Sequence, residues 1–175
     1  MNIKVIPASK EAMPVIQNMA RFYAYDLSKS CGFYELFDWS FPENGLYEAL
    51  DVSKYWNEPN RYPFLIRVDD ELAGFVLINK VGSMPSIDWN MGEFFIVGKF
   101  QGKGIGKQVA IELFDQFSGQ WEVMQMPPNI PAIKFWRKII ADYSNNQFIE
   151  TTIITNDPEP HTSNIFRFHS INEKT

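Results

Sequence analysis

The stretch Phe94-Phe95-Ile96-Val97-Gly98-Lys99-Phe100-Gln101-Gly102-Lys103-Gly104-Ile105-Gly106-Lys107-Gln108-Val109 decides how this chain folds. Its apolar opening, Phe94 to Val97, reads as the end of a strand. Gly102, Gly104 and Gly106 then let the backbone come close to a ligand and turn its N–H groups toward it. From Ile105 the apolar positions Val109, Leu113 and Phe117 follow at i+4 spacing, which predicts a helix to about residue 118, ended by Gly119. A strand, a glycine turn and a helix start together hold phosphate oxygens without using side chains.

On the N-terminal side, residues 2–6 alternate as a first strand. Ser9 is placed to cap a helix over 11–27, with Val15, Ile16, Met19, Phe22 and Tyr23 at helical spacing. Residues 28–60 are irregular and aromatic, with a short helix expected near 44–54. Tyr62–Val68 and Leu72–Val81 flank the polar turn Asp69-Asp70-Glu71 and read as a hairpin. The central strand is expected over 87–97, bulged near Asn90 or Gly92.

On the C-terminal side, Trp121–Met126 reads as a strand that a helix joins to its predecessor, hence parallel to it. Asn129 caps a helix over 130–140, with Pro131 tolerated in its first turn. Residues 147–154 and 164–170 read as two final strands. The expected fold class is α/β (α+β): a mixed, mostly antiparallel sheet of six or seven strands with one central parallel crossover. The expected organisation is a single domain over 1–175.

The 175 residues are 45% apolar and 15% aromatic, enough for a packed core. The net charge of −5 argues against a nucleic-acid partner, since phosphate backbones require a basic face. No apolar run approaches the ~18 residues of a membrane span. No signal-peptide pattern opens the chain. Cys31 is the only cysteine, so no intrachain disulfide forms. A cytoplasmic protein with no membrane association is the expectation.

The glycine turn can be tested letter by letter. A P-loop needs G-x-x-x-x-G-K-[ST], but Gln108 follows Lys107 and Gln101 stands where the first glycine belongs. A G-x-G-x-x-G fingerprint fails at Lys107 or at Val109, depending on the starting glycine. The pattern that fits is [Q/R]-x-x-G-x-[G/A], as Gln101-x-x-Gly104-x-Gly106. It resembles the acyl-CoA-binding motif of the GNAT superfamily of N-acetyltransferases. Asn129, Ala132, Phe135 and Trp136 match the downstream Asn-x-x-Ala-x-x-aromatic pattern of that family. The resemblance covers nearly the whole chain.

The resemblance implies a central parallel pair splayed apart, helices on both sheet faces, and acetyl-CoA as cosubstrate with no metal. It implies cofactor contacts from Ile96, Val97, Gln101, Gly102, Lys103, Gly104, Ile105, Gly106, Lys107, Asn129, Phe135 and Trp136. Lys103 and Lys107 also sit where a helix dipole disfavours cations, a sign that a bound pyrophosphate would reverse. A backbone N–H near Ile96 or Val97 would stabilise the oxyanion formed when an amine attacks the thioester directly. By this resemblance no covalent enzyme intermediate is needed, so Cys31 need not react.

Protonation ranks the remaining needs. An alkyl amine of pKa ~10.4 carries a deprotonation penalty of about 4.6 kcal/mol at pH 7, against about 2 kcal/mol for a leaving thiol of pKa ~8.5. A general base therefore matters more than a general acid. Glu93, a carboxylate in an apolar strand on the face of Phe95 and Val97, is the leading base, with Asp88 second. The family's usual acid is a tyrosine on the late helix. Trp136 stands there instead, and its indole N–H supplies no proton at neutral pH. Tyr143 is the alternative acid, unassisted thiolate departure a second reading, and a non-catalytic acyl-CoA-binding module or sensor a third.

Residues 26–51 set Asp26, Glu35, Asp38, Glu43, Glu48 and Asp51 against Lys29 alone, among Phe33, Tyr34, Phe37, Trp39, Phe41 and Tyr47. In the family this region covers the acceptor. An acidic, aromatic cover points to a cationic small-molecule or peptide amine, with Asp157, Glu159 and His161 as further wall. A homodimer is left open.

Overall fold

The computed structural model describes residues 1–36, 38–156 and 159–170; Phe37 and Asp157 lie outside the described residues. In chain order the elements are β1 (Ile3–Pro7), a 3-10 turn (Lys10–Ala12), α1 (Met13–Cys31), α2 (Lys54–Asn57), β2 (Arg61–Val68), β3 (Glu71–Asn79) and β4 (Trp89–Ile96). After a second 3-10 turn at Gly98–Phe100 come α3 (Ile105–Gln116), β5 (Gly119–Gln125), α4 (Ile130–Tyr143), β6 (Phe148–Thr155) and β7 (His161–Ser170). Among the described residues the strands form one sheet in the order β1-β2-β3-β4-β5-β7-β6, in which only β4 and β5 run parallel.

Each sheet face has its own core. α3 and α4 cover one, with Ile105, Val109, Leu113, Trp136 and Ile140 packed on Ile66, Val76, Trp121, Val123 and Phe166. α1 and α2 cover the other, with Ile16, Met19, Ala20 and Tyr55 packed on Phe75, Leu77 and Phe95. Val15 and Phe22, although on the apolar series of α1, are 37% and 65% exposed.

Three local expectations change. α1 continues to Cys31 because that residue is fully buried and the Lys29–Asp26 pair, at 2.7 Å, spans the last turn. The helix expected near 44–54 is replaced by the single turn α2. Gln17 Nε2 donates to Leu50 O at 2.8 Å and Arg21 Nη1 to Tyr47 O at 2.7 Å, so these carbonyls serve α1 instead of a helical ladder. α3 stops at Gln116, and Gly119, at φ 139°, opens β5 instead of closing the helix.

The expected bulge lies at Gly92, where β3 register skips from Leu77↔Glu93 to Ile78↔Met91. A Cβ there would come within 2.4 Å of the Tyr55 hydroxyl, so the missing side chain lets α2 dock on the bulge. β4 pairs with β3 along its length but with β5 only at Trp89↔Trp121, Asn90↔Glu122 and Met91↔Val123. Beyond Met91 the parallel strands part.

The parallel pair is braced on the α1 side of the sheet. Glu122 on β5 is fully buried; its carboxylate accepts from Ser83 N at 2.9 Å and from Arg167 Nε at 2.9 Å. Asp88, the second base candidate, accepts from Gln120 N at 2.8 Å and so ties the approach of β4 to the start of β5.

Candidate active site

The glycine turn stands where β4 ends. Gly102 and Gly104 adopt φ values of 71° and 79°, and a Cβ at either would meet nothing within 4 Å. Backbone conformation, not crowding, therefore requires glycine at both. Gly104 is the N-cap of α3 and supplies no side-chain cap, so the first-turn N–H groups remain to be satisfied from outside the helix. Gln101 clamps the turn: its Nε2 donates to Ile96 O at 2.8 Å and to Asp26 Oδ2 at 3.0 Å. Lys103 is exposed. Ile105 sends its side chain into the core at 1% exposure, leaving only its backbone to face the turn.

Two members of the motif contact α4. A Cβ on Gly106 would come within 3.0 Å of the Phe135 ring, so this glycine sets the close approach of α3 to α4. Lys107 Nζ pairs with Asp142 at 2.8 Å and is held along α4.

Backbone alternation separates the two expected oxyanion donors, Ile96 and Val97. Val97 N–H donates to Ala73 O at 2.8 Å and is occupied by β3. Successive residues of a strand direct their N–H groups to opposite sides, so those of Phe94 and Ile96 face the gap left by β5. The Ile96 carbonyl already accepts from Gln101.

Glu93 lies beside the bulge on the α1 side. Part of the residue remains accessible, but the carboxyl sits among Tyr23 of α1 and Tyr55 of α2. Burial pushes it up from 4.5 to about 7, against the opposing pull of the Tyr23 hydroxyl and the Lys54 charge. The Tyr23 hydroxyl is itself raised well above its ordinary value, by burial first and by the Glu93 charge second. Asn79 Nδ2 donates to the Tyr55 hydroxyl at 2.9 Å and fixes it at the bulge. Sequence periodicity places Tyr23 in the core and does not single out Tyr55. The only signal is a hydroxyl on an apolar helix series, and no local pattern ties either residue to Glu93.

On the other face Asn129 caps α4, its Oδ1 accepting from Ala132 N at 3.3 Å. Phe135 packs on Phe94 with ring centroids 5.9 Å apart. Trp136 is 5% exposed and meets Phe94 edge-on at 5.1 Å, a core position. Tyr143 is not placed to act as an acid with Glu93. Its hydroxyl donates to Asp115 Oδ1 at 2.9 Å, and its ring packs on Phe114 and Phe168. It lies about 20 Å along α4 from Asn129, at a rise of ~1.5 Å per residue, and across the sheet from Glu93.

The segment after α1 borders an open pocket of about 540 Å³ lined by Ser28, Tyr34, Glu35, Asp38, Trp39 and Tyr47. The acidic residues divide. Glu35 and Asp38 reach the pocket, while Asp51 Oδ1 accepts from Ser53 N at 2.9 Å and Asp26 is engaged by Lys29 and Gln101. His161 bonds Thr155 and the Glu159 carbonyl at the start of β7. Cys31 is buried, and burial pushes its thiol up. No group of described residues gathers metal-ligating side chains, and none of the described helices is long and apolar enough to cross a membrane.

A seven-stranded sheet with one parting parallel pair and a glycine turn opening the next helix defines an acetyltransferase-type fold. A profile of the acetyltransferase (GNAT) family matches residues 30–140, and the chain belongs to that family. Comparison with curated proteins finds no match. Among solved structures, an acetyltransferase from Thermus thermophilus superposes with a TM-score of 0.63 at 16% identity, covering 97% of each chain. RimL, a ribosomal alpha-N-protein acetyltransferase in complex with coenzyme A, gives 0.62 at 14% identity, covering 99% of this chain and 97% of its own. A nourseothricin acetyltransferase gives 0.56 at 13% identity, covering 98% of this chain and all of its own. At these identities the structures share the fold.

Proposed function

We propose that this protein transfers an acetyl group from acetyl-CoA to a primary amine by direct attack, with Glu93 as general base. The observation that carries the reading is the Glu93 carboxyl, raised to about 7 beside the bulge from which β4 leaves β5. A base poised near neutrality suits removal of the amine proton. The turn fits a pyrophosphate: Gly102 and Gly104 leave open space, and the first-turn N–H groups of α3 are uncapped. Lys103 adds charge there, and Gln101 holds the turn in place. The N–H groups of Phe94 and Ile96 line the gap as oxyanion donors. Tyr23 and Tyr55 position Glu93. With Tyr143 engaged elsewhere and Trp136 in the core, the thiolate departs without a tyrosine acid, at a cost of about 2 kcal/mol.

Glu35, Asp38 and the aromatic wall of the pocket after α1 favour a cationic acceptor, a small amine or a peptide amine. The test is thiol release from acetyl-CoA over a panel of polyamines, aminoglycosides and peptide amines, run beside thermal-shift titration with acetyl-CoA. Stabilisation by acetyl-CoA and turnover with at least one cationic amine are expected. Lack of stabilisation at millimolar acetyl-CoA refutes the reading. Trp136, standing where the resemblance expects a tyrosine acid, favours a second reading, an acyl-CoA-binding module without catalysis, which predicts stabilisation with no thiol release on any amine.

A further inference from the structure

The sheet has two outer edges, and they are built differently. Among the described residues β1 and β6 each pair with a strand on one side only. An open edge presents a row of unpaired N–H and C=O groups, which folded chains blunt with lysine, proline, a bulge or a short strand. β1 carries such devices: it is five residues long, holds Lys4 and ends on Pro7, which has no N–H to offer. β6 carries none of them. Its eight residues, Phe148-Ile149-Glu150-Thr151-Thr152-Ile153-Ile154-Thr155, include no lysine, proline or glycine. They pair with β7 from Phe148↔Phe168 to Thr155↔His161 without a register shift, so no bulge turns the edge away. Ile149 and Ile154 are 61% and 72% exposed.

The single charge on β6 is neutralised within the chain. Arg137 of α4 donates to both Glu150 oxygens, at 2.7 and 2.6 Å. The chain carries a net charge of −5, yet this edge brings no net charge to a contact.

We propose that β6 is a dimerisation edge, pairing antiparallel with β6 of a second copy across a two-fold axis at Thr151. The occupant follows from closure. β6 set against β1 of a neighbour is a head-to-tail, open-ended contact, and Lys4 and Pro7 oppose it; β6 set against β6 closes as a dimer. The register follows from side-chain chemistry. A two-fold axis perpendicular to the sheet keeps equivalent faces together, so odd-numbered residues oppose odd and even oppose even. Centred on Glu150, the axis opposes two carboxylates. Centred on Thr152, it sets Glu150 against Ile154, and further along it shortens the ladder. Centred on Thr151, it sets Ile149 against Ile153 on the α1 side and Phe148 against Ile154 on the α4 side. Glu150 then faces the Thr152 hydroxyl and keeps its arginine.

The test is sedimentation equilibrium of the whole protein from micromolar to near-millimolar concentration. Wild type should show a monomer–dimer equilibrium that depends on concentration. Ile154→Lys sets a charge against Phe148 of the second copy and should be monomeric throughout. Its urea stability should match wild type, because Ile154 is exposed in the single chain. Opposed Cα atoms of an antiparallel pair lie about 4.5–5.5 Å apart, within disulfide reach, so Thr151→Cys should form a covalent dimer under mild oxidation. Ile154→Cys, about 20 Å along the ladder from its own symmetry mate, should not. Buried Cys31 is common to both variants. A wild type that stays monomeric at every concentration overturns the inference and leaves the edge to a strand of another protein. A dimer that survives Ile154→Lys, or a Thr151→Cys protein that fails to cross-link, also overturns it, by moving the contact to another surface or another register.

Discussion

Replacing Glu93 by Gln keeps the volume of the side chain and removes its titration. In the folded protein burial raises this carboxyl from 4.5 to about 7, with Tyr23, Tyr55 and Lys54 the polar and charged groups around it. The folded chain therefore holds the proton more tightly than the unfolded chain does. The associated stabilisation is fully present below pH 4.5 and is lost as pH rises through about 7. At ~1.36 kcal/mol per pH unit, wild type should lose about 2.5 kcal/mol through this group between pH 5 and pH 8. Glu93→Gln loses none of it. Urea denaturation of both proteins at half-unit steps over this range isolates the effect, because every other titrating group is common to both. The difference in unfolding free energy should move toward the variant by about 2.5 kcal/mol across the range, with its steepest change between pH 5 and 7. Parallel curves would refute the placement of the carboxyl in a desolvating environment. The same two proteins test its chemistry. In wild type, kcat/KM should rise through pH 7; in the variant that limb should disappear, with activity down by about 10²- to 10⁴-fold. A variant that keeps both rate and limb removes Glu93 from the mechanism.

Three further outcomes follow from the geometry. Tyr143→Phe deletes the bond to Asp115 and should cost about 1 kcal/mol in urea denaturation while leaving thiol release unchanged; a large loss of turnover would restore Tyr143 as an acid. Gly104→Ala places a Cβ at φ 79° in open space, so it should destabilise by about 1–2 kcal/mol through backbone strain alone and weaken coenzyme A in calorimetry. Unchanged affinity would separate the turn from the ligand. Arg167→Met strips the buried Glu122 carboxylate of its cation and should cost about 3 kcal/mol or more, measured by thermal unfolding at pH 7. A neutral result would mean that Ser83 alone satisfies it.

Much of the fold is legible in the sequence because it is written in local period. The i+4 series from Ile105, the alternation around Asp69-Asp70 and the Asn129 cap each concern residues a few positions apart, and they correspond to α3, the β2–β3 hairpin and the start of α4. The bulge near Gly92 is signalled by a glycine within an apolar strand. The 44–54 segment departs from its expected helix because its carbonyls are claimed by Gln17 and Arg21, side chains about thirty residues away. Tyr143 departs from its expected role for a related reason: helix register fixes which residue lies on α4, while Asp115 on α3 fixes where the hydroxyl goes.

The sequence by itself determined the order of elements, the glycine turn between β4 and α3, and a carboxylate out of place in an apolar strand. These follow from periodicity, backbone freedom and residue chemistry, which act over a few bonds. Tertiary structure alone decided that Val97 N–H is taken by β3, that Lys107 is turned to α4, and that Gly106 serves the approach of Phe135. It also brought Tyr23 and Tyr55 to Glu93 and set β6 at the outer edge of the sheet. Hydrogen-bond partners and desolvation depend on distances between segments far apart in the chain, and those distances exist only once the two helical layers have packed on the sheet.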